Sequence, residues 1–423
     1  MEERSAPIFA LFAAAAGLVA ATAHAQTPAA APATDPVLAA LTEGEVNFNL
    51  RLRYEQVDQD GFDEEADALT ARLRLGYLTG PLYDLQGYVE FEHIESLGGE
   101  DYNSLLNSVL DRPVVADPSD TEVNQAYLLW TGLTDTRALI GRQRIIYDNA
   151  RFIGNVGWRQ NEQTFNAASI VRNDLGPVDL SYAYLDKVNT ITFGERDIQA
   201  HLVNLGVAAG DYGSLSIYGY LLDFDLDAGP TRDTQTYGAR FAGGAPVAEQ
   251  LKLVYALEYA HQQDYADAEA DFDADYYLVE AGVEVAGVTV KAAQEQLGSG
   301  DNDDLRYSFQ TPLATKHAFN GWADKFLGDF IGVDADGDGL LDGDGLVDSF
   351  LSLGTSLYGV NFLAVYHDFE SDDGSVDYGS EFDVLLARKF LPWLSGLIKY
   401  ADYNADEFAT DTEKLWLQAE VIF

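Results

Sequence analysis

The ten residues Lys414-Leu415-Trp416-Leu417-Gln418-Ala419-Glu420-Val421-Ile422-Phe423 decide how the chain is read. Counted back from the end, Leu415, Leu417, Ala419, Val421 and Phe423 fall on one side of an extended strand, and Lys414, Gln418 and Glu420 fall on the other. Near the other end, Val46, Phe48, Leu50, Leu52 and Tyr54 alternate in the same way with Asn47, Asn49, Arg51, Arg53 and Glu55. That is roughly the 10 residues a tilted strand needs to cross hydrocarbon. A soluble sandwich shows the same alternation with its apolar face inward, so the period alone leaves both architectures open.

The connections separate the two. Tight turns are expected at Gly80-Pro81, Gly132-Leu133-Thr134, Leu175-Gly176-Pro177, Asp211-Tyr212, Ala286-Gly287, Tyr358-Gly359 and Leu391-Pro392. Between them lie long polar stretches at 56–67, 96–120, 223–232, 262–275, 370–377 and 404–412, most of them acidic. Short turns at one end and long loops at the other predict an all-β transmembrane antiparallel β-barrel of about 18 strands, with both termini on the short-turn side. The even count requires 298–346 to be one long extracellular excursion; a strand at Arg306–Phe309 would make it odd.

Composition agrees. The 423 residues carry a net charge of −45 with only 25 Lys and Arg, which argues against nucleic acid or an anionic leaflet as partner. There is no Cys, so no disulfide and no thiolate metal site. At the amino-terminus Arg4 precedes an apolar run from Ile8 to Ala20, and Ala23-His24-Ala25 offers small residues where a signal peptidase cuts, so 1–25 reads as a signal peptide cleaved before Gln26. Residues 26–44 are expected to be a disordered periplasmic leader and 45–423 the barrel. No later stretch reaches the roughly 18 apolar residues of a transmembrane helix. In a secreted chain the closing strand with its terminal Phe423 resembles the insertion signal of outer-membrane barrels, which implies the outer membrane of a Gram-negative cell as address, its lipid as surroundings and the barrel assembly machinery as a partner.

Basic residues sit inside strands, where a soluble protein rarely places them unless that face is wet. Arg51 and Arg53 share one face, as do Arg72 and Arg74, and Arg142 and Arg144; Arg151 and Arg159 follow. Folding about Gly80-Pro81 sets Arg74 across from Glu90 and Arg72 across from Glu92, a cross-strand charge ladder on the lumen wall. These ten residues are the candidate pore lining. Either the arginines favour anionic solutes, or they brace the wall against carboxylates.

Asp334, Asp336, Asp338, Asp342, Asp344 and Asp348 place oxygen ligands along a Gly-rich run, like the first half of a calcium loop. The twelfth position is Gly345 rather than Glu, so the pattern looks more like tandem extracellular calcium loops, and Ca2+ is the one cofactor expected. The His residues of the mature chain are scattered and no nucleophile motif appears, so a non-enzyme is expected, with His367-Asp368 read as structural.

Several stretches resemble the alginate export porin family. They are 141–145 (Gly-Arg-Gln-Arg-Ile), 149–154 (Asn-Ala-Arg-Phe-Ile-Gly), 157–164 (Gly-Trp-Arg-Gln-Asn-Glu-Gln-Thr), 311–315, 320–326, 364–369, 378–381 and 399–403. The resemblance implies an 18-stranded outer-membrane barrel whose Arg-rich constriction passes an anionic solute or polysaccharide, with Arg142, Arg144, Arg151 and Arg159 at the pore. It also implies that Trp322, Asp324 and Lys325 lie in a long loop inserted into the mouth. The acidic loops and the insertion at 333–348 depart from the family. Three readings follow: an anion channel, a general or substrate-specific porin for neutral or cationic solutes, and a barrel plugged by 298–346.

Overall fold

A computed structural model describes residues 35–423 apart from 174, 226–232, 267, 269–272, 301–307, 329–342 and 373; the expected signal peptide lies outside the described residues. A short helix, α1 (Pro36–Thr42), precedes eighteen strands. These are β1 (Glu45–Gln59), β2 (Ala66–Leu78), β3 (Leu85–Ser96), β4 (Asp120–Trp130), β5 (Thr136–Gln143), β6 (Thr164–Arg172), β7 (Val178–Asn189), β8 (Glu195–Ala208) and β9 (Ser214–Phe224). Then come β10 (Thr234–Ala248), β11 (Leu251–Asp264), β12 (Asp273–Val285), β13 (Val288–Leu297), β14 (Leu346–Leu357), β15 (Val360–Glu370), β16 (Asp377–Leu391), β17 (Leu394–Ala405) and β18 (Thr412–Ile422).

Each strand pairs antiparallel with its neighbour in sequence, and β1 pairs with β18 from Asn49↔Ile422 to Gln59↔Thr412. The sheet is therefore a closed 18-stranded antiparallel β-barrel, and closure leaves no edge of unpaired backbone groups. The even count holds: 298–345 is a single connection, and within its described part only Ser299 and Ser308 form an isolated bridge.

The turns fall where the sequence places them, with two departures. The sequence reading passes over a turn at Glu249-Gln250, and on the long-loop side β7 and β8 are joined by only 190–194. The leader expectation is corrected at 36–42, where Asp35 caps α1 by accepting from the Val37 amide at 2.9 Å and Pro36 opens the helix with its fixed φ.

Burial settles sandwich against barrel. Outward positions carry an exposed apolar belt that includes Val46, Leu73, Leu75, Phe91, Leu128, Ile140, Leu257, Val279, Leu351, Phe382 and Ile398. Inward positions on the same strands bury Arg53, Glu55, Arg72, Glu92, Glu295, Asp348, Glu381 and Lys399. A soluble sandwich has the reverse polarity; a bilayer is the solvent that makes this one favourable. No described helix is long and apolar enough to cross a membrane.

Candidate functional site: the filled lumen and its outer cavity

β5 stops early and sends the chain inward. Gly141 has φ +127° and lies against the Ala126–Tyr127 backbone so closely that a Cβ would collide with it; after Gln143 the chain leaves the wall and 144–163 enters the lumen. A second segment, 308–328 of the connection between β13 and β14, enters beside it. The two bind each other through backbone: the Gly154 amide donates to the Leu313 carbonyl at 2.9 Å and the Thr315 amide to the Ala150 carbonyl at 3.0 Å. Gln163 ties them by donating to the Gly154 and Leu313 carbonyls. On the β9–β12 side Phe152 packs on Tyr218, Tyr220 and Tyr276, and Phe309 on Tyr276 and Phe152, sealing that sector with aromatic surface.

The arginines meet this filling. Arg51 reaches Glu420 at 3.3 Å and the carbonyls of Gly157, Trp158 and Arg159. Arg53 lies 4.2 Å over the Trp158 ring, bonds Gln418 at 2.7 Å and stands 3.9 Å from Asp117. Arg72 bonds Glu420 at 3.2 Å and the Gln160 carbonyl at 3.2 Å. Arg74 pairs with Glu92 and, at 3.3 Å, with Glu162. Glu162 also takes Arg144; burial alone would raise its carboxyl, but Arg74 and Arg144 hold it down at about 2. Arg151 pairs with Glu295 at 2.8 Å and Arg159 with Glu55 at 3.1 Å and Asp324 at 3.0 Å.

The predicted ladder is present in kind but shifted in register. Arg74 stands across from Glu92, Arg72 across from Ile94, and Glu90 across from Gly76. The turn runs from 79 to 84, with positive φ at Tyr83 and Asp84, so β3 is displaced by two residues, and a two-residue slip keeps every side chain on its face. Glu90 instead accepts from Asn124 and Gln125 at 2.8 and 3.0 Å and lies 3.6 Å from Arg144. Arg142 and Arg144 do not share a face. Arg142 pairs in register with Ala126 and Asn166, on the face opposite Gln143 and Phe165, and bonds Glu195 at 2.9 Å; Arg144 lies past the strand end, inside.

The six acidic residues of the candidate calcium loop do not form a described cluster. Asp334, Asp336, Asp338 and Asp342 lie outside the described residues, and Asp344 is buried. Asp348 belongs to β14, where its carboxylate accepts from His367 at 2.9 Å and from Asn320 at 3.3 Å, so it faces the lumen.

At the centre is a group the sequence did not reveal. Lys399 of β17 points its Nζ at the His317 Nε2, 2.6 Å away, and lies 3.7 Å from the centre of the Trp322 ring and 4.2 Å from that of Trp158. His317 stacks on Trp158 at 4.4 Å and its Nδ1 meets Asp324 at 2.6 Å. Burial lowers the His317 pKa well below its usual value, with Lys399 adding to that against Asp324, which favours a neutral ring that accepts from Lys399 at Nε2. Asp324 and Lys325 thus lie within the mouth.

Two cavities flank the inserted segment 308–328. The one toward the long-loop end, of about 720 Å3, is lined by Arg159, Arg196, Lys316, Lys325 and Lys414 with His317, and Asp324 is the only carboxylate in its lining among the described residues. Lys414 and Arg159 share Asp324, while Lys325 forms no ion pair among the described residues. Burial, with Lys414 nearby, lowers the Lys325 pKa to about 8. The second cavity, of about 330 Å3, lies toward the short-turn end, where Arg240 pairs with Glu258 at 3.5 Å and Lys291 with Glu280 at 2.7 Å.

Solved structures share this architecture. OccAB4 of Acinetobacter baumannii superposes with a TM-score of 0.66 at 15% identity over 90% of this chain and 98% of that one. OccK9 (OpdG) of Pseudomonas aeruginosa gives 0.68 at 13% identity over 91% and 100%, and the outer membrane protein OpdK of the same organism 0.66 at 14% over 90% and 99%. The fold is that of the 18-stranded outer-membrane porins. OpdK has also been solved with vanillate. No protein-family model matches the chain, and no curated protein matches it. The structural likeness thus supports a porin fold and not the narrower alginate-export family.

Proposed function

We propose that this porin-fold barrel is an outer-membrane channel that passes small anionic solutes by diffusion. The observation that carries the reading is the outer cavity: Lys325 lines it with no carboxylate partner of its own among the described residues, beside Arg159 and Lys414, which share Asp324. An anion leaving water there exchanges hydration for ammonium and guanidinium contacts. The inner cavity, where cations are already paired, holds it less, which lets it leave. The acidic loops do not contradict this, because at physiological salt their field is screened over roughly 8 Å. The vanillate found in OpdK is a carboxylate of the size the outer cavity accommodates.

The alginate-export expectation fits less well. A polymer needs a wide continuous path, and here Trp158, His317, Trp322 and Lys399 pack on one another inside the barrel. The arginines of the ladder favour a second reading, a charge-balanced pore for neutral solutes, since each has a carboxylate within 4.0 Å. Swelling of proteoliposomes tests both: a small monocarboxylate is expected to enter faster than a sugar or an alkylammonium of equal size. Equal rates for all three would establish the second reading, and entry of a long oligouronate would restore the polysaccharide route.

A further inference from the structure

α1 is too short to stand alone in water, so what holds it defines what it is for. Three hydrogen bonds fasten it to the short-turn rim: the Gly80 amide donates to the Ala40 carbonyl at 2.8 Å, the Tyr77 hydroxyl to the Leu41 carbonyl at 2.8 Å, and the Gly44 amide to the Tyr77 hydroxyl at 3.1 Å. Ala40 is buried against Gly80, where a Cβ would touch the Ala40 backbone at 3.4 Å.

The other side of the helix faces away from the protein. Val37, Leu38 and Leu41 lie on one face at helical spacing and are 50%, 54% and 57% exposed. An apolar face of this kind on a seven-residue helix is costly in water. Its position says what covers it. Tyr77 lies across from Val46 in the β1–β2 register, on the outward row that also carries Leu75 and Leu73. The helix therefore hangs from the lipid-facing side of the wall. The same rim carries Trp393 stacked on Phe423 at 5.6 Å, and Phe48 6.0 Å from Phe423, an aromatic belt of the kind that marks the water boundary of a barrel.

We propose that α1 is an interfacial anchor, with Val37, Leu38 and Leu41 seated at the headgroup–acyl boundary of the leaflet on the short-turn side, continuous with the apolar belt above. The charge pattern narrows the lipid. Residues 35–48 contain Asp35, Glu43 and Glu45 and no Lys or Arg, so apolar area and not attraction to anionic headgroups drives the contact. Zwitterionic lipid is the fitting partner, and salt leaves the contact unchanged.

The chain has no Cys, which makes site-specific labelling clean. Leu38→Cys and, separately, Glu43→Cys are labelled with an environment-sensitive fluorophore in the folded protein, reconstituted in phosphatidylcholine/phosphatidylethanolamine vesicles, with heat-modifiable gel migration verifying the barrel. The label at 38 is expected to emit further to the blue than that at 43. Lipids spin-labelled near the glycerol should quench it several-fold more strongly, equally at low and high salt. Equal emission at both positions with equal access to aqueous iodide would overturn the proposal, as would quenching that appears only with anionic lipid. Val37→Cys repeats the measurement should Leu38→Cys fold poorly, and the same outcomes decide.

Discussion

Replacing Lys325 by Met should remove most of the anion preference, while the same change at Lys414 should remove little. A sphere of the outer cavity's 720 Å3 has a radius of about 6 Å, so a solute at its centre feels Lys325 across that distance. At an effective dielectric near 20, two unit charges about 6 Å apart interact by roughly 3 kcal/mol, and screening over a length of about 8 Å leaves roughly 1.3 kcal/mol. That is about a tenfold change in the occupancy of the cavity by a monovalent anion. Lys414 already shares Asp324 at 3.1 Å, so its field at the centre is largely cancelled. The assay is the reversal potential of single channels in a salt gradient across a planar bilayer, read as the ratio of anion to cation permeability. A ratio unchanged within about twofold in Lys325→Met would refute the reasoning, since a charge worth about 1.3 kcal/mol at the centre has to register. A Lys414→Met variant that loses as much as Lys325→Met would show that pairing to Asp324 does not cancel a charge there.

The same lysine sets a pH dependence. Its pKa lies at about 8, below the usual lysine range, so its charge is present at neutral pH and lost as pH rises through about 8; anion preference should fall between about pH 7 and 9 and be flat over that range in Lys325→Met. The inserted segment is held to the wall by Glu381, which accepts from the Trp322 amide and, at 2.7 Å, from the Ala323 amide. Glu381→Ala removes two charge-assisted bonds of roughly 1.5–3 kcal/mol each and should increase conductance and gating noise in single-channel records, whereas Glu381→Gln, which retains an acceptor oxygen, should restore most of the quiet trace. Conductance identical in all three would detach Glu381 from the position of the loop.

What could be read in the sequence was what repeats. The two-residue period of β1 and β18 and the alternation of short and long connections follow from backbone geometry that every strand shares, so both were visible without a structure. The register of Arg74 on Glu92 was not visible, because it depends on how many residues the turn consumes, and the positive φ at Tyr83 and Asp84 lengthens it. Arg142 and Arg144 were given one face by continuing the alternation past Gln143, where β5 has ended and Arg144 has left the wall. The central group was out of reach for a different reason. Lys399, Trp158, Trp322 and His317 come from one strand and two inserted segments, and no periodicity connects them. The inward carboxylates had a signal that could have been used: Glu55 and Glu420 alternate in phase with the arginines of their seam, on the face opposite the apolar residues.

The seam between β1 and β18 has a consequence for how the molecule comes into being. Every other pairing joins strands adjacent in the chain, so hairpins can zip one after another with little loop to close. The seam alone brings residue 49 to residue 422. Until the last ten residues are available, the growing sheet has two edges whose backbone donors and acceptors lipid cannot satisfy. Full insertion into hydrocarbon is therefore coupled to closure, and the final strand acts as a kinetic checkpoint: a chain shortened there keeps nearly all of its local pairings and remains an open, aggregation-prone sheet.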